Sequence, residues 1–313
     1  MPKVYPFHSK KEPHHHDNSK CGPGSEIPPH HRESGTGGKK KTTKAEGMAF
    51  MEQVGYELAD YSVALGYFAN ATAIRPRIYG SGVLVRKGLR HGILTAAHCV
   101  DDLRLGIIYG DRLCLTLKRS NWSIVPPEVI RKHVLAQPKP NHYEPDLAFL
   151  EILPSPQLSS IKSKSSFYPL DNDYRKIKKS FCKVGRSFVV IGFPGEYHQT
   201  LVDGKRTRQI VKHMTFLYYV KPDSISVRNG WDYIEAKNWY GKKSELPKSF
   251  AGVSGGPAWG LQVGRDENGN LKLEKSALIG IAFLQEFNAK GQPHRVRCHC
   301  VRSIYDVAWR NLQ

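Results

Sequence analysis

Three separated segments of the 313-residue chain each contain a residue type that acyl transfer requires. Ser254 lies in a glycine-rich turn, His98 follows a short apolar run, and Asp146 precedes another one. A hydroxyl nucleophile, an imidazole base and a carboxylate that orients the base form the usual arrangement for covalent catalysis by serine. The sequence therefore predicts Ser254 as nucleophile, His98 as general base and Asp146 as the orienting carboxylate.

The local contexts of His98 and Asp146 are compatible with these roles and with simpler ones. Small residues before His98 let a strand end in a tight turn that presents an imidazole, although such a histidine is more often an ordinary surface or core residue. Asp146 stands at the start of the apolar run Leu147–Leu150, where a partly buried carboxylate needs a hydrogen-bond donor. An imidazole N–H would be that donor; the alternative is an ordinary turn residue.

The segment Gly252-Val253-Ser254-Gly255-Gly256-Pro257 is the most specific of the three. Its glycines let the backbone bend so that the N–H groups of Gly252 and Ser254 point into one spot, where a substrate carbonyl oxygen becomes negative. An ordinary loop or a phosphate cradle is the alternative, but a cradle normally carries Gly-Lys-Ser or Gly-Lys-Thr before a helix. The segment predicts an oxyanion hole formed by Gly252 and Ser254.

The elements that must position these residues are mostly short β-strands separated by Gly, Pro, Asn and Asp, which is typical of an all-β sandwich or a pair of barrels. Helical spacing of apolar residues predicts one helix at Met48–Leu58 and another at Val301–Leu312. The predicted strands are Ser62–Phe68, Gly82–Val85, Gly92–Thr95, Leu147–Ile152, Phe188–Ile191, Thr215–Val220, Trp231–Ile234 and Ala277–Phe283.

The chain is expected to divide into a tail and two halves. Residues 1–46 are rich in His, Lys, Pro and Gly and lack apolar periodicity, which predicts a disordered tail. Residues 47–165 would hold the first helix and the first β-unit, and residues 166–313 the second β-unit and the last helix. The Ser- and Lys-rich stretch Ser155–Lys179 is the predicted linker between the halves.

Three strings, in this order along the chain, resemble the trypsin-like (chymotrypsin-fold) serine peptidases. They are Thr95-Ala96-Ala97-His98-Cys99, Asp146-Leu147-Ala148-Phe149-Leu150 and Gly252-Val253-Ser254-Gly255-Gly256-Pro257, and the resemblance covers about residues 60–310. Two further strings, Gly80–Val85 and Val190–Gly195, look like strands of the bacterial, intracellular branch of this family.

The resemblance implies an all-β fold of two six-stranded antiparallel β-barrels, with the active site between them and a C-terminal helix outside. It also implies a serine endopeptidase without a cofactor, which hydrolyses peptide bonds through a His-Asp-Ser triad and an acyl-enzyme intermediate. Lys248 stands at the position of the specificity pocket's base, where a cation would favour Asp or Glu unless it points to solvent. Gly280, Ile281 and Ala282 would form the pocket wall and pair with the substrate backbone.

Two departures from the family pattern carry their own expectations. Val253 replaces the aspartate that captures a newly cut N-terminus in secreted digestive relatives, so activation by such a cut is not expected. Cys99 matches a cysteine of the secreted enzymes, but the strand that normally provides its disulfide partner has Gly80–Val83 and no cysteine. Cys99 is therefore expected to be a buried free thiol.

Composition constrains the location and the partners. The net charge of +19 is compatible with a solvated basic surface or with an acidic partner. The absence of a long apolar run or an apolar leader predicts a cytoplasmic protein without a membrane partner, and the scattered cysteines predict reduced thiols. The histidines of the tail have no fixed geometry, so a metal site is not expected.

The expected partner is a protein or peptide substrate, and a regulatory protein partner is a further hypothesis because an intracellular peptidase needs restraint. Two other functions stay open. One is a catalytically silent scaffold with the same fold, since folds outlive their functions. The other is a basic nucleic-acid-binding module, for which Leu217–Lys221 offers the nearest alternation of aromatic and basic residues, although it is more simply a core strand.

Overall fold

The structure is a computed structural model in which the described residues are 42–68, 76–101, 113–117, 123–137, 144–195, 199–203, 206–211, 213–221, 223–237, 251–287, 293–310 and 312. The histidine clusters of the predicted tail, Cys21 and Lys248 lie outside them. Within these ranges no helix is both long and apolar enough to cross a bilayer.

The first half of the molecule is built around one antiparallel sheet. Its strands are β1 (Ser62–Phe68), β2 (Pro76–Lys87), β3 (Arg90–Thr95), β4 (Leu113–Thr116), β5 (Ser123–Val125), β6 (Ile130–Ala136) and β7 (Leu147–Ile152). They lie in the order β5-β4-β1-β2-β3-β7-β6, and β8 (Tyr168–Pro169) pairs in parallel with β2. Aliphatic side chains such as Leu65, Leu84 and Ile93 form its fully buried core.

The second half is a second antiparallel sheet. Its strands are β9 (Ser187–Gly192), β12 (Met214–Tyr219), β13 (Ile225–Arg228), β14 (Trp231–Lys237), β15 (Pro257–Arg265), β16 (Leu271–Phe287) and β17 (Pro293–His299); β10 (Gln199–Asp203) and β11 (Arg206–Ile210) form a separate hairpin. The order is β12-β9-β15-β16-β17-β14-β13. The predicted all-β class with two antiparallel units is confirmed, although each described sheet connects seven antiparallel strands instead of six.

The predicted N-terminal helix is present as α1 (Lys44–Leu58). It begins before Met48 because Thr43 and Glu46 form a capping box, in which each side chain accepts a hydrogen bond from the other residue's backbone N–H. Phe50 and Leu58 are buried with Val54, and each contributes about 1.5–3 kcal/mol of burial energy. Met48, which shares the helical spacing that predicted this helix, is 63% exposed and is not part of the buried face.

The predicted linker is ordered and partly helical, with α3 (Pro156–Lys162) and α4 (Tyr174–Phe181) following the short α2 (His98–Asp101). The predicted C-terminal helix is shorter than expected. It consists of α5 (Val301–Tyr305) and a 3-10 turn at Val307–Trp309, separated at Asp306, whose φ of −121° and ψ of −68° interrupt the helix.

Five cysteines lie among the described residues, where all five are buried and none forms a disulfide bond. A Cβ atom added to Gly80 would lie only 2.7 Å from the Sγ of Cys99. Gly80 therefore occupies the place from which a disulfide partner would reach Cys99, and the thiol of Cys99 fills the space left by the missing side chain.

Candidate active site

Neighbouring strands of the first sheet bring His98 and Asp146 together. Thr95 at the end of β3 is paired with Ala148 near the start of β7, so the residues just beyond these strand ends meet. The small residues Ala96 and Ala97 are fully buried, which anchors the turn that carries His98. The sequence pattern of a strand ending in small residues therefore positions the imidazole as predicted.

Asp146 is 4% exposed and uses both carboxylate oxygens to hold His98. The backbone N–H of His98 donates to Oδ1 at 3.0 Å, and its ring Nδ1 lies 2.5 Å from Oδ2. Two such bonds offset the penalty of burying a carboxylate. With Nδ1–H donating to Asp146, the ring leaves Nε2 as the atom that can accept a proton.

The surroundings of His98 favour the charged form of its ring. Burial lowers the pKa of His98, but the neighbouring Cys99 sulfur and the Asp146 carboxylate raise it by more, so the pKa lies above the ordinary value of a histidine. A raised pKa makes the neutral ring a stronger base and stabilises the imidazolium that forms when the ring takes a proton.

Ser254 sits on a turn that only glycines can form. Gly252 and Gly255 have φ angles of +93° and +84°, in the left-handed region that side chains disfavour. A Cβ atom on Gly255 would also lie 2.0 Å from both the Ser81 carbonyl oxygen and the Thr95 hydroxyl. Gly255 is therefore required by conformation and by space, and Ser254 is left partly exposed between buried neighbours.

Strand β16 anchors the turn from the second sheet. The N–H of Gly255 donates to the carbonyl oxygen of Ala282 at 2.6 Å, and the N–H of Ala282 donates to the carbonyl oxygen of Gly256 at 2.9 Å. These two hydrogen bonds therefore fix the turn to β16.

Ser81 on β2 anchors the same turn from the first sheet. Its N–H donates to the Ser254 carbonyl at 2.7 Å, and its hydroxyl donates to the Gly252 carbonyl at 2.5 Å while accepting from the Phe193 N–H at 3.0 Å. Ser81 is fully buried, so these bonds join the two sheets away from water.

The three residues predicted for catalysis therefore lie at one place. Cys99, which follows His98, directs its Sγ toward the Ser254 carbonyl at 3.5 Å. In the described part of the chain no hydrogen bond joins the Ser254 hydroxyl to the His98 ring, whose Nδ1 faces Asp146. Nucleophile–base contacts are often long before substrate binds.

The predicted oxyanion-hole donors are available. The Gly195 N–H donates to the Ala251 carbonyl at 2.9 Å, and in a trans peptide this directs the Gly252 N–H the opposite way. Neither the Gly252 N–H nor the Ser254 N–H donates to any acceptor that the described residues provide. Because buried backbone N–H groups are normally paired, two free donors beside Ser254 are a notable feature of this turn.

The residues predicted for the substrate pocket lie partly outside the described residues and partly inside the second sheet. Lys248 lies outside the described residues. Gly280, Ile281 and Ala282 are buried inside the second sheet. Gly280 pairs with β15, Ala282 pairs with β17, and Ile281 pairs with both strands. Their role as a pocket wall that binds the substrate backbone stays a prediction.

Sequence reasoning missed Ser81, Arg297 and His299, which contact the site through folded structure. The glycines on both sides of Ser81 were an available signal, since glycine inside a strand often marks a close approach of another backbone. Arg297 and His299 carried no comparable local signal.

The comparisons with known proteins agree with this geometry. The family model of the trypsin-like peptidase domain matches residues 80–264, more than half of the chain, and this range contains His98, Asp146 and Ser254. A search of curated proteins finds no match. The assignment to a bacterial, intracellular branch stays a prediction. The chain belongs to the trypsin-like peptidase family.

Proposed function

We propose that the protein is a serine endopeptidase with His98, Asp146 and Ser254 as its catalytic triad. One observation carries the proposal: a buried His–Asp pair and a partly exposed serine with two free N–H donors meet at one place. Membership of the peptidase family supports hydrolysis of a peptide bond.

The geometry supports the following steps. The Ser254 hydroxyl attacks the scissile carbonyl carbon while Nε2 of His98 takes its proton, and Asp146 stabilises the imidazolium through Nδ1–H. The N–H groups of Gly252 and Ser254 bind the oxyanion. The C–N bond then breaks as His98 returns the proton to the leaving amine, and water hydrolyses the acyl-enzyme by the reverse sequence.

The proposed substrate is a protein or peptide segment that binds across the Ser254 turn, where the hydroxyl of Ser254 can reach its scissile carbonyl.

The test is labelling with a fluorophosphonate probe, with wild type compared with Ser254→Ala, His98→Ala and Ser165→Ala. The hydroxyl of Ser165 is buried and has no hydrogen-bond partner within the described ranges, which makes this variant a matched control. We expect labelling of wild type and Ser165→Ala, none of Ser254→Ala, and strongly slowed labelling of His98→Ala. Labelling that persists without Ser254, or a folded wild type that does not react, would refute the proposal.

A further inference from the structure

Arg297 of β17 connects the Asp146 segment with the second sheet. Its guanidinium reaches Glu144 Oε2 at 3.1 Å, Glu235 Oε1 at 2.9 Å and Glu286 Oε1 at 3.1 Å, and its side chain is only 11% exposed. Glu144 lies two residues before Asp146, whereas Glu235 and Glu286 belong to β14 and β16. One side chain therefore ties the Asp146 segment to two strands of the other sheet.

His299 of the same strand holds Asp146 directly. Its Nε2 lies 3.0 Å from the backbone nitrogen and 3.1 Å from the carbonyl oxygen of Asp146. The ring is fully buried, with Phe283 at 4.6 Å and Tyr233 at 5.3 Å between ring centres. Packing on these rings fixes the imidazole, so His299 is a rigid support for the Asp146 backbone.

The two contacts act on one segment because Arg297 and His299 are two residues apart. Alternate residues of a strand project from the same face, so both meet the chain that leads into β7. The planar fork of arginine gives its ion pairs a fixed direction. Buried ion pairs add little net stability, and their best-attested use is to specify a geometry. A positional role explains why three carboxylates converge on Arg297.

We propose that Arg297 is a positioning residue for the catalytic carboxylate: by holding Glu144, and together with His299, it fixes the backbone that carries Asp146. The inference rests on the proposed function, since Asp146 must orient His98 for this support to affect catalysis. The second sheet, which carries Ser254, would thus also set the geometry of the acid–base pair on the first sheet.

The test compares Arg297→Met with Arg295→Met. Arg295 lies on the same face of β17 and pairs with Glu235 and Glu286, but it has no ion pair with Glu144. Both changes remove one positive charge from the same cluster. With a peptide substrate we expect kcat to fall at least about tenfold in Arg297→Met with KM within about twofold, and Arg295→Met to stay close to wild type.

A second readout does not need activity. The His98 ring is titrated by NMR in wild type and both variants. Loss of a nearby positive charge alone would raise the pKa of His98, whereas displacement of Asp146 would lower it toward about 6.5. We expect a lower pKa in Arg297→Met only. An inactive wild type would refute the proposed function alone. The His98 titration would still show in that case whether Arg297 positions Asp146.

Glu144→Gln provides a milder variant in case Arg297→Met does not fold. If Arg297 acts through Glu144, the double variant should lose less activity than the sum of the two single losses, because both changes remove the Arg297–Glu144 ion pair. Arg297→Lys keeps the charge but lacks the fork, so we expect intermediate activity. Equal behaviour of Arg297→Met and Arg295→Met in kcat and in the His98 titration would overturn the inference.

Discussion

The hydroxyl of Ser81 donates a hydrogen bond of 2.5 Å to the carbonyl oxygen of Gly252, although 171 positions separate the two residues. Ser81 belongs to the sheet that carries His98 and Asp146, whereas Gly252 belongs to the turn of Ser254. The same hydroxyl accepts from the N–H of Phe193 at 3.0 Å. This single buried group therefore sets the orientation of the turn relative to the acid–base pair.

Ser81→Ala should impair catalysis more than substrate binding. Without the hydroxyl, the Gly252 carbonyl and the Phe193 N–H lose a buried partner, which costs about 1–3 kcal/mol of unfolding free energy. Because the Gly252 N–H belongs to the same turn, we expect kcat to fall about 10- to 100-fold, less than for the loss of a whole oxyanion donor. Steady-state kinetics and urea unfolding measure the two effects.

Ser165→Ala is again the control, since it removes a buried hydroxyl that has no partner among the described residues. It should change neither kcat nor stability appreciably. Wild-type kcat in Ser81→Ala would show that the Ser254 turn holds its shape without Ser81.

Gly80→Cys should form a disulfide with Cys99. The added Cβ would lie 3.3 Å from the Cβ of Cys99, a few tenths of an ångström below the usual separation of about 3.5–4.5 Å. A bridge that closes a loop of about 20 residues stabilises the fold by about 3 kcal/mol. We expect a higher melting temperature that falls on addition of reductant.

The control is Gly80→Cys in a Cys99→Ser background, whose melting temperature should not respond to reductant. If the melting temperature of Gly80→Cys alone is also insensitive to reductant, the prediction is contradicted.

The pH dependence of activity should report the raised pKa of His98. Burial lowers this pKa, while Cys99 and Asp146 raise it by more. Only the neutral ring can accept the serine proton, so kcat/KM should rise with pH, with a midpoint above about 6.5. Asp146→Asn removes the charge but keeps a side chain of the same size; it should move the midpoint down and lower kcat about 10⁴-fold. An unchanged midpoint would show that Asp146 does not control the titration.

The strands that were predicted correctly are those whose burial is encoded locally. Ser62–Phe68 and Leu147–Ile152 have the predicted bounds because continuous apolar runs form strands buried on both faces. Strand β17 was missed because Arg295 and Arg297 interrupt its apolar pattern. Their burial depends on carboxylates from other strands, which no local window contains.

The missed helices of the linker are a different case, because their signals were local. Ser155 caps α3 and is followed by Pro156, and Asp173 caps α4 through a bond to the N–H of Arg175. These are standard helix-start residues that a composition-based search for a linker overlooks. The low apolar content of Ser155–Lys179 led to the prediction of a linker and gave no sign of its helical structure.

The three residues of the proposed triad could be singled out in the sequence because each is a distinctive residue type in a distinctive local string. Their supports were not, since Ser81 and His299 are common residue types whose roles arise from contacts across the two sheets. The strand pairing around Gly280–Ala282 could not be predicted either, because sequence gives no account of where a neighbouring strand ends. Here the ladder of β15 with β16 ends at Ile281.

His299 should make the fold sensitive to acid. Burial lowers its pKa to about 4, although the charges of Asp146 and Asp232 act in the opposite direction. The unfolded chain takes up a proton at about pH 6.5 while the folded protein does not, so stability is fully present above pH 6.5 and falls as the pH drops toward 4. A difference of this size corresponds to about 3 kcal/mol. Urea unfolding at several pH values should show this loss of unfolding free energy in wild type. In His299→Gln the loss should be smaller by about 3 kcal/mol, because glutamine keeps an amide near Asp146 but does not titrate. Equal losses in the two proteins would show that the imidazole of His299 is not the group responsible.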